Sequence, residues 1–379
     1  MKRIQHVVSK SFAGKKVFLV NFRERRQEDT DESIRELELL CYTLKLKIDA
    51  KFLVKLNYIH PSTYLGEGKL AELKKSTDEL KPSFIIFAND LSSIQQRNIE
   101  KFLGVQVIDR TGLILQIFGE HAKSSEGKIQ IELAQLDYIL PRLTGYGTEL
   151  SRIGGGFATK GPGEMKLEVN RRRIKERIYK LKREIKDIAK HRKLIRDSKR
   201  RKNFPMVALM GYTNVGKSRL MNSLSASELY VANKLFATLD PATRAVYIGE
   251  GKFCLLSDTV GLLHNIPHNL IEAFQSTLEE VKYADLILIL YDISAKNLER
   301  QRKTVFEAFE MLGIKDRKTI EVYNKIDLLS PEEKNIIMSN MSEGIFVSAF
   351  TGEGIENLKE VLKENLYGSK TEGSRQGSY

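Results

Sequence analysis

The chain has 379 residues, of which 41% are hydrophobic and 29% charged, a balance typical of two or three globular domains whose core forms without disulfides or metals. Its formal net charge of +13 lies in residues 171–204, which contain 17 Lys or Arg against four Asp or Glu. Residues 1–11 lack the apolar core of a signal peptide, and the densest apolar stretch, residues 286–290, is far shorter than the roughly 20 residues that cross a bilayer. We therefore predict a cytoplasmic protein that is not inserted in a membrane, while a peripheral location at a membrane surface stays open.

Residues 16–122 alternate short β-type runs with helical patterns. We predict strands at residues 16–22, 51–58, 84–88 and 105–109, and helices that include residues 32–45 and 92–103. This alternation predicts a small parallel α/β domain over residues 1–122. Residues 66–68 are too short for a nucleotide loop, so we predict a helix-entry turn there. Cys41, and Cys254 further along the chain, lie in apolar segments and are interpreted as reduced core residues rather than catalytic thiols.

Two apolar seams follow, in a region that we assign to residues 123–204. The first seam consists of Ile129, Leu133, Leu136, Leu140 and Leu143, and the second of Ile174, Ile178, Leu181, Ile185 and Ile188. Both have the alternating four- and three-residue spacing of a narrow coiled-coil seam, so we predict an antiparallel helical hairpin. Pro141 is expected to kink or end the first helix.

The two seams are separated by a glycine-rich loop, residues 144–164, with seven glycines in 21 positions. So many glycines disfavour a helix or a strand. The loop is either a flexible linker or a binding loop. We favour binding, because glycine lets the backbone approach a ligand closely and Arg142, Arg152 and Lys160 place positive charge around the loop.

The second helix of the hairpin carries the basic segment. Charge pairing four residues apart cannot neutralise 17 cations with four anions, so we predict a surface that binds a polyanion. Nucleic acid is favoured over a membrane, because the apolar seam is narrow and has no Trp or Phe for insertion into lipid.

Residues 205–366 again alternate strand and helix patterns. We predict strands at residues 205–210, 244–249, 253–257, 286–291, 319–323 and 345–348. These residues are expected to form a second α/β domain. The final segment, residues 367–379, is rich in Gly and Ser and is expected to be disordered.

The loop after the first of these strands has the spacing G-x-x-x-x-G-K-[ST], between a strand and a helical stretch at residues 220–224. That pattern predicts a phosphate-binding loop whose backbone N–H groups surround phosphate oxygens. Lys217 would neutralise the β- and γ-phosphates, and Ser218 would supply a hydroxyl to Mg²⁺. The loop residues are Gly211, Tyr212, Thr213, Asn214, Val215, Gly216, Lys217 and Ser218.

A second nucleotide segment, residues 258–261, follows the strand at residues 253–257. Asp258 is placed to hold the Mg²⁺ shell, and Gly261 can offer its backbone N–H to the γ-phosphate. With Thr259 and Val260 between them, these residues form the sequence D-T-V-G, which gains its significance from its position after the phosphate loop.

A third segment selects the base. Asp327, which follows Asn324 and Lys325 at the end of a strand, can accept hydrogen bonds from N1–H and the exocyclic amine of guanine, and adenine lacks these donors in that geometry. Ser348, Ala349 and Phe350 follow the last predicted strand, where a second guanine-contacting loop is expected.

Hydrolysis requires groups near the γ-phosphate. Among residues 236–244, which include Phe236, Ala237, Thr238 and Leu239, we choose Thr238 first and Thr243 second as the threonine that closes over Mg²⁺. Either one could instead be an ordinary turn hydroxyl. The predicted catalytic residues are Lys217, Thr238, Gly261 and Asn214, and the predicted metal ligands are Ser218, Thr238 and Asp258.

Position 262 bears on the rate of hydrolysis. Many small GTPases have a water-positioning Gln after this glycine, whereas this chain has Leu262, which cannot orient water. Hydrolysis is therefore expected to be slow or to need another group or a partner. Asn214 occupies the position of an asparagine that binds K⁺ in some potassium-activated GTPases, and a loop-bracing role is an equal alternative.

Several segments together resemble the HflX GTPases. They are Asp109 to Leu115, the run from Glu126 through Leu143, Gly154 to Gly156, Gly161 to Glu164 leading into Arg171 to Arg173, Gly211 to Asn214, and Phe236 to Pro241. The resemblance covers most of residues 16–366. It departs at Val215, Arg219 and Ala242, where the family usually has Ala, Thr and Thr, and these changes leave Lys217 and Ser218 intact.

The resemblance implies a fold of a small parallel α/β domain, a helical hairpin and a C-terminal Ras-like P-loop GTPase domain. It also implies binding to the large ribosomal subunit and its RNA, with ribosome splitting, rescue or recycling under stress. By position, Arg142, Arg152, Lys160 and Arg171 to Arg173 would be the RNA contacts. The expected small molecules are GTP, GDP and Mg²⁺, together with K⁺ if Asn214 binds it, and the expected state is a monomer. The alternatives are an RNA-remodelling ATPase that uses residues 16–122 as its motor and a membrane-surface GTPase switch.

Overall fold

The structure, a computed structural model, describes residues 12–23, 27–56, 58–143, 162–200, 204–225, 242–263, 280–314, 317–341 and 344–368. The chain divides into two compact units, with the boundary between Ala189 and Lys190. Among the described helices, none combines the length and the apolar character that crossing a bilayer requires. Tyr367, the first residue of the predicted tail, ends the last helix instead, and the part of the tail beyond Gly368 lies outside the described residues.

The first unit is built on a four-stranded parallel sheet in the order β2-β1-β3-β4. Its strands are β1 (Lys16–Phe22), β2 (Lys47–Val54), β3 (Phe84–Phe87) and β4 (Gln106–Ile108). The accompanying helices are α1 (Gln27–Thr43), α2 (Glu67–Leu80), α3 (Ser93–Leu103) and α4 (Arg110–His121). The apolar runs of β1 and β3 are buried because these strands occupy the centre of the sheet.

The prediction for the second strand was wrong in its limits. It was placed at residues 51–58, whereas β2 begins at Lys47, which pairs with Lys16, and ends at Val54. β2 is an edge strand in which half-buried and exposed positions alternate and only Val54 is buried, so a continuous apolar run did not mark where the strand begins. The predicted helix-entry turn at residues 66–68 is confirmed, because Gly66 is the N-cap of α2.

Two further helices, α5 (Ser125–Arg142) and α6 (Pro162–Arg200), correspond to the predicted hairpin. They are joined by an ion pair between Arg177 and Glu132, with Nη2 and Oε2 2.6 Å apart. The seam predicted for α6 is confirmed at Ile174, Ile178 and Leu181, which are buried. Pro141 lies in the last turn of α5, as expected for a residue that ends a helix.

The seam predicted for α5 was wrong as the buried face of that helix. All five of its residues are only half-buried, and the buried positions are Gly127, Gln130, Ile131, Ala134 and Ile139. The reason is that α5 packs against α4, which requires a second contact face on the helix. A four-three spacing identifies one apolar stripe and cannot show which of two faces is covered more completely.

The second unit contains a six-stranded sheet in the order β10-β9-β8-β5-β7-β6, in which only β6 runs antiparallel to its neighbour among the described strands. The strands are β5 (Met206–Gly211), β6 (Ala242–Tyr247), β7 (Phe253–Asp258), β8 (Leu286–Asp292), β9 (Thr319–Asn324) and β10 (Ile345–Phe346). The helices are α7 (Lys217–Ser225), α8 (Leu298–Leu312), α9 (Pro331–Asn340) and α10 (Ile355–Tyr367).

All six predicted strands of this unit are present, and their limits differ by up to two residues. β10 is shorter than predicted because Ser348 leaves the ladder, where its backbone N–H donates to the Glu353 carbonyl at 2.9 Å. Both cysteines are buried and free, and burial raises the pKa of each thiol to about 12. They are core residues, as predicted, since a thiol of that pKa is a poor nucleophile near neutral pH.

Candidate nucleotide-binding site

The candidate site lies at the carboxyl edge of the second unit's parallel strands. β5 ends at Gly211 and α7 begins at Lys217, so the predicted phosphate loop connects them. β7 ends at Asp258, and β9 ends at Asn324. Because parallel strands end at the same edge of a sheet, the topology brings the predicted segments together, where ligands of open α/β sheets bind.

Gly216 is required by the shape of the phosphate loop. Its φ of 97° is disfavoured for residues that carry a Cβ, and a Cβ built there would overlap the Asn324 Nδ2 atom. The glycine therefore serves two purposes: it forms the turn into α7 and it leaves room for a side chain from β9.

Lys217 is buried, with a relative exposure of 7%. Its ammonium donates to the backbone carbonyls of Gly211, at 3.0 Å, and Tyr212, at 2.7 Å. Burial lowers the pKa of Lys217 from 10.5 to about 8, and the nearby Asp258 carboxylate partly opposes that shift. The cation is thus held in the loop at some electrostatic cost, which an anionic ligand would offset.

Ser218 and Asp258 form the candidate magnesium position. The Ser218 Oγ donates to the Asp258 Oδ2 at 2.6 Å, and the Asp258 side chain is fully buried. A hydroxyl and a carboxylate are hard oxygen donors, and Mg²⁺ is typically held by one or two carboxylates together with phosphates and water. The donor set therefore fits Mg²⁺.

The phosphate loop is joined to the segment after β7 by backbone hydrogen bonds. Thr213 N–H donates to the Leu262 carbonyl at 2.8 Å, and Leu262 N–H donates to the Gly211 carbonyl at 3.1 Å. A Cβ added to Gly261 would lie 2.7 Å from Thr213 Cγ2 and 3.2 Å from Lys217 Nζ. A side chain at this position would therefore overlap Thr213, and Gly261 lies next to the lysine ammonium.

The side chain of Leu262 is turned into the protein. It is 4% exposed and belongs to a buried apolar cluster with Met210, Val281 and Ile289. In the same segment, the Thr259 hydroxyl donates to the Leu209 carbonyl at 2.5 Å. These two side chains therefore serve packing and strand attachment.

Asn324 links the two halves of the site. Its Nδ2 donates to the Val215 carbonyl at 2.7 Å, and its Oδ1 accepts from Ala349 N–H at 2.9 Å. The side chain is 1% exposed, so these bonds are shielded from water. One amide thus fixes the phosphate loop relative to the loop after β10.

The predicted base-recognition carboxylate is exposed and oriented by a neighbour. Asp327 lies in a 3₁₀ turn, Ile326–Leu328, and its Oδ1 accepts from the Ser348 Oγ at 2.5 Å. Lys325, with a left-handed backbone at φ 70°, donates from Nζ to the Asp292 Oδ2 at 2.6 Å. The Asp327 carboxylate is therefore accessible to a ligand while Ser348 holds its direction.

Some predicted residues lie outside the described part of the chain. These are Phe236, Ala237, Thr238 and Leu239, and the RNA-contact candidates Arg152 and Lys160. The second-choice threonine, Thr243, is exposed in β6 and pairs with Ser257. Asn214 is exposed with a left-handed φ of 63°, so the choice between a K⁺ ligand and a loop brace stays a prediction.

Two residues of this region were not predicted from the sequence to belong to the site. Asp292 ends β8 and holds Lys325, and its place at the end of an apolar run was a usable signal, because carboxyl ends of strands carry ligand-binding residues. Ser223 donates from Oγ to the Ala349 carbonyl at 2.9 Å. No sequence pattern identifies that contact, since its partner lies 126 residues away.

The guanidinium of Arg142, which was predicted to contact RNA, is bonded within the protein. That group donates to the Asp109 carboxylate at 2.8 Å, to the carbonyls of Leu91 and Tyr138, and to the Gln96 side chain. Asp109 is fully buried, so the arginine is its internal counter-charge. Arg142 stands beside a basic loop in the sequence, which favoured an RNA ligand. In the fold, its partner is the buried carboxylate of Asp109.

The cationic surface of α6 consists of exposed side chains. Among its members are Arg171, Arg172, Arg173, Lys175, Lys180, Lys182, Arg183 and Lys186. Arg172 forms an ion pair with Glu176 at 2.9 Å, and such exposed pairs add little stability.

The chain is similar to known GTP-binding proteins along most of its length. Family models described as "GTP-binding GTPase N-terminal", "GTP-binding GTPase Middle Region" and "50S ribosome-binding GTPase" match residues 31–119, 121–200 and 206–325. The GTPase HflX of Caldanaerobacter subterraneus is 42% identical over 339 residues, which is 89% of this chain and 78% of that protein. The GTPase HflX of Lacrimispora saccharolytica is 43% identical over 366 residues, which is 96% of this chain and 86% of that protein.

Among solved structures, the complex of SsGBP with GDP is similar, with a TM-score of 0.52 and 26% identity, over 92% of this chain and 98% of that one. The GTPase fold predicted from the sequence is therefore confirmed, as is the predicted family. Its family models, its relatives and its phosphate loop lead to one assignment: this chain belongs to the HflX family of GTPases.

Proposed function

We propose that the chain binds GTP and GDP at the carboxyl edge of β5, β9 and β10, hydrolyses GTP, and binds RNA of the large ribosomal subunit through the cationic surface of α6. The observation that carries the nucleotide part is the position of Asn324, whose amide joins Val215 in the phosphate loop to Ala349 in the loop after β10. A single ligand with a phosphate chain at one end and a base at the other fits such a linked pair of loops.

The base is guanine because of the accessible carboxylate of Asp327. Two N–H donors of guanine satisfy a carboxylate that Ser348 already orients through a 2.5 Å hydrogen bond. Adenine would leave that carboxylate without donors in this geometry. A site that hydrogen-bonds particular groups of its ligand rejects a ligand that lacks them by several orders of magnitude.

The phosphates bind around Lys217 and the N-terminus of α7. The lysine neutralises phosphate charge, and the backbone N–H groups of the loop and of the first helical turn donate to phosphate oxygens. Ser218 and Asp258 would hold Mg²⁺, which when bound neutralises charge on the β- and γ-phosphates. Gly261 adds a backbone N–H beside Lys217, where a γ-phosphate would be sensed.

Hydrolysis in this chain depends on a group other than the side chain at position 262, because Leu262 is packed in the core. Thr238, Asn214 with K⁺, or the ribosome itself would then supply what orients the water. We therefore infer slow intrinsic hydrolysis and acceleration by the large subunit, so that GTP cleavage times the release of the protein from the ribosome.

The RNA-binding part rests on charge and exposure. Eight or more exposed cations on α6 form a surface that attracts phosphate backbone. The matched family description, a 50S ribosome-binding GTPase, supports the large subunit as the source of that RNA. We extend this to splitting, rescue or recycling of ribosomes under stress by a cytoplasmic monomer.

Two measurements test the proposal. Calorimetry should show GDP binding at least about a hundredfold tighter than ADP, and Asp327→Asn should abolish that preference. Sedimentation of the protein with intact ribosomes and GTP should show co-migration with large subunits and an increase in free subunits. Equal affinity for GDP and ADP would refute the nucleotide site, and hydrolysis unchanged by purified large subunits would refute the coupling.

A further inference from the structure

An exposed cation–aromatic contact borders the candidate nucleotide site. The guanidinium carbon of Arg219 lies 4.4 Å from the ring centroid of Phe350. Arg219 directly follows Ser218 of the phosphate loop, and Phe350 directly follows Ala349 of the loop after β10. The contact therefore joins the phosphate side of the site to its base side.

Both side chains are exposed, Phe350 to 67%. An exposed phenyl ring gains little from folding, and its position beside Ser348 and Ala349 leaves its surface available to a ligand. Arg219 is in the first turn of α7, where the helix dipole disfavours a cation. That turn also contains Lys217 and no acidic residue, so a bound anion would stabilise it.

The backbone under the contact is held in place from both sides. Ser223 donates from Oγ to the Ala349 carbonyl at 2.9 Å, and Asn324 accepts from Ala349 N–H at 2.9 Å. Ser223 lies one helical turn after Arg219 on α7, which orients that helix face toward the loop. The arginine and the phenyl ring are thus carried by elements with a fixed separation.

We propose that Arg219 and Phe350 form one wall of the nucleotide site and retain a bound guanine nucleotide. The guanidinium faces the phosphate–sugar side and donates to phosphate oxygen, and the ring covers the base side while it stacks on the guanidinium. This inference rests on the proposed function and goes beyond it by assigning the lifetime of the bound state to the contact between Arg219, which follows the phosphate loop, and Phe350 of the loop after β10.

The test is a double-mutant cycle on the dissociation rate of GDP. Full-length protein with Arg219→Gln, Phe350→Leu or both is loaded with a fluorescent GDP and chased with excess unlabelled GDP in a stopped-flow instrument. Loss of an exposed cation–π contact should speed dissociation about two- to fivefold, and loss of the phosphate contact should speed it further for Arg219→Gln. The double variant should release GDP less rapidly than the product of the two single fold-changes predicts. The reason is that both residues act as one pair.

Guanosine separates the phosphate contact from a general effect on the pocket. Arg219→Gln should weaken GDP binding more than guanosine binding, because guanosine has no phosphate to contact, whereas Phe350→Leu should weaken both to a similar extent. Matched controls are Lys303→Gln and Phe306→Leu, an exposed cation and an exposed ring on α8, which should leave dissociation unchanged.

The outcomes distinguish this inference from the function on which it rests. If the unmodified protein does not prefer GDP over ADP, the proposed function fails. If it does, but either single variant releases GDP at the original rate, or the two effects multiply fully, the inference alone is overturned. Thermal unfolding of each variant, expected within about 2 °C of the original because both side chains are exposed, excludes a folding defect as the cause.

Discussion

The Nδ2 of Asn324 lies 2.7 Å from the carbonyl oxygen of Val215, so a buried amide at the end of β9 supports the phosphate loop after β5. The same side chain accepts from Ala349 N–H. Because a ligand must be held by both loops at once, this residue is a direct determinant of their relative position.

Replacing Asn324 with alanine should weaken nucleotide binding, because the phosphate loop and the loop after β10 lose the amide that joins them. Loss of a buried hydrogen-bond partner costs about 1–3 kcal/mol, so GDP affinity should fall about tenfold or more. Calorimetry with GDP measures this. Asn365→Ala is the matched control, since Asn365 bonds to the Val361 carbonyl within α10 and should leave affinity unchanged.

Substitution of Leu262 with glutamine should fail to increase hydrolysis. A glutamine there would enter the apolar cluster that contains Met210 and Val281, so its amide would lack partners and could not reach the γ-phosphate without disrupting the core. We expect a loss of about 2–4 kcal/mol in the free energy of unfolding. Leu262→Met, which conserves volume, should cost less than about 1.5 kcal/mol.

Urea unfolding and single-turnover GTP hydrolysis measure the two effects. A Leu262→Gln protein that is as stable as the original and hydrolyses GTP faster would show that this side chain can turn toward the nucleotide, contrary to its position in the core.

The affinity for GDP should depend on pH through Lys217. Burial lowers the pKa of this lysine to about 8 in the nucleotide-free protein, and bound phosphate favours the charged form. Above pH 8, GDP binding is therefore accompanied by proton uptake at Lys217. Because of this uptake, the affinity for GDP falls as pH rises. From pH 7 to 8.5 the affinity should fall about fourfold, by linkage to a group of that pKa.

Calorimetry in buffers of different ionisation enthalpy detects the proton uptake directly. Guanosine, which has no phosphate to face Lys217, should bind with the same affinity at both pH values. A GDP affinity that does not change between pH 7 and 8.5 would mean that the lysine stays charged without its ligand.

Features that depend on short segments could be predicted from the sequence. The phosphate loop, the strands that precede Asp258 and Asn324, and the turn at Gly66 follow from local spacing and composition. Contacts between distant segments could not be predicted. The direction of Leu262 depends on packing by β8, and the Ser223 contact with Ala349 depends on a loop 126 residues away.

The same limit applies to two predictions in the first unit. α5 has apolar residues on more than one side, and only its packing against α4 decides that Ile131 and Ala134 are buried. Arg142 is adjacent to a basic loop in sequence, whereas its partner, Asp109, lies 33 residues earlier and caps the start of α4. A charged residue in a sequence indicates that a counter-charge is needed. The sequence does not show which oppositely charged group lies nearest in the fold.

Replacing Arg142 with alanine should therefore destabilise the first unit rather than act first on RNA binding. Asp109 is fully buried, and removing the partner of a buried charge costs about 3–5 kcal/mol. Burial already raises the pKa of Asp109, and Arg142 opposes that shift, so the variant should raise it further. Since a carboxyl with a raised folded-state pKa destabilises most at high pH, the deficit in stability should shrink as pH falls.

Arg172→Ala provides the contrast, because Arg172 is exposed on α6 and pairs only with a neighbour one turn away among its described contacts. Its unfolding free energy should stay within about 0.5 kcal/mol of the original, while its binding to ribosomal RNA should weaken and become less sensitive to salt. Chemical unfolding of both variants, with RNA binding measured at two salt concentrations below the unfolding transition, separates the roles. If Arg142→Ala were as stable as Arg172→Ala and lost as much RNA affinity, Arg142 would be an RNA contact after all, and its bond to Asp109 would be dispensable for folding.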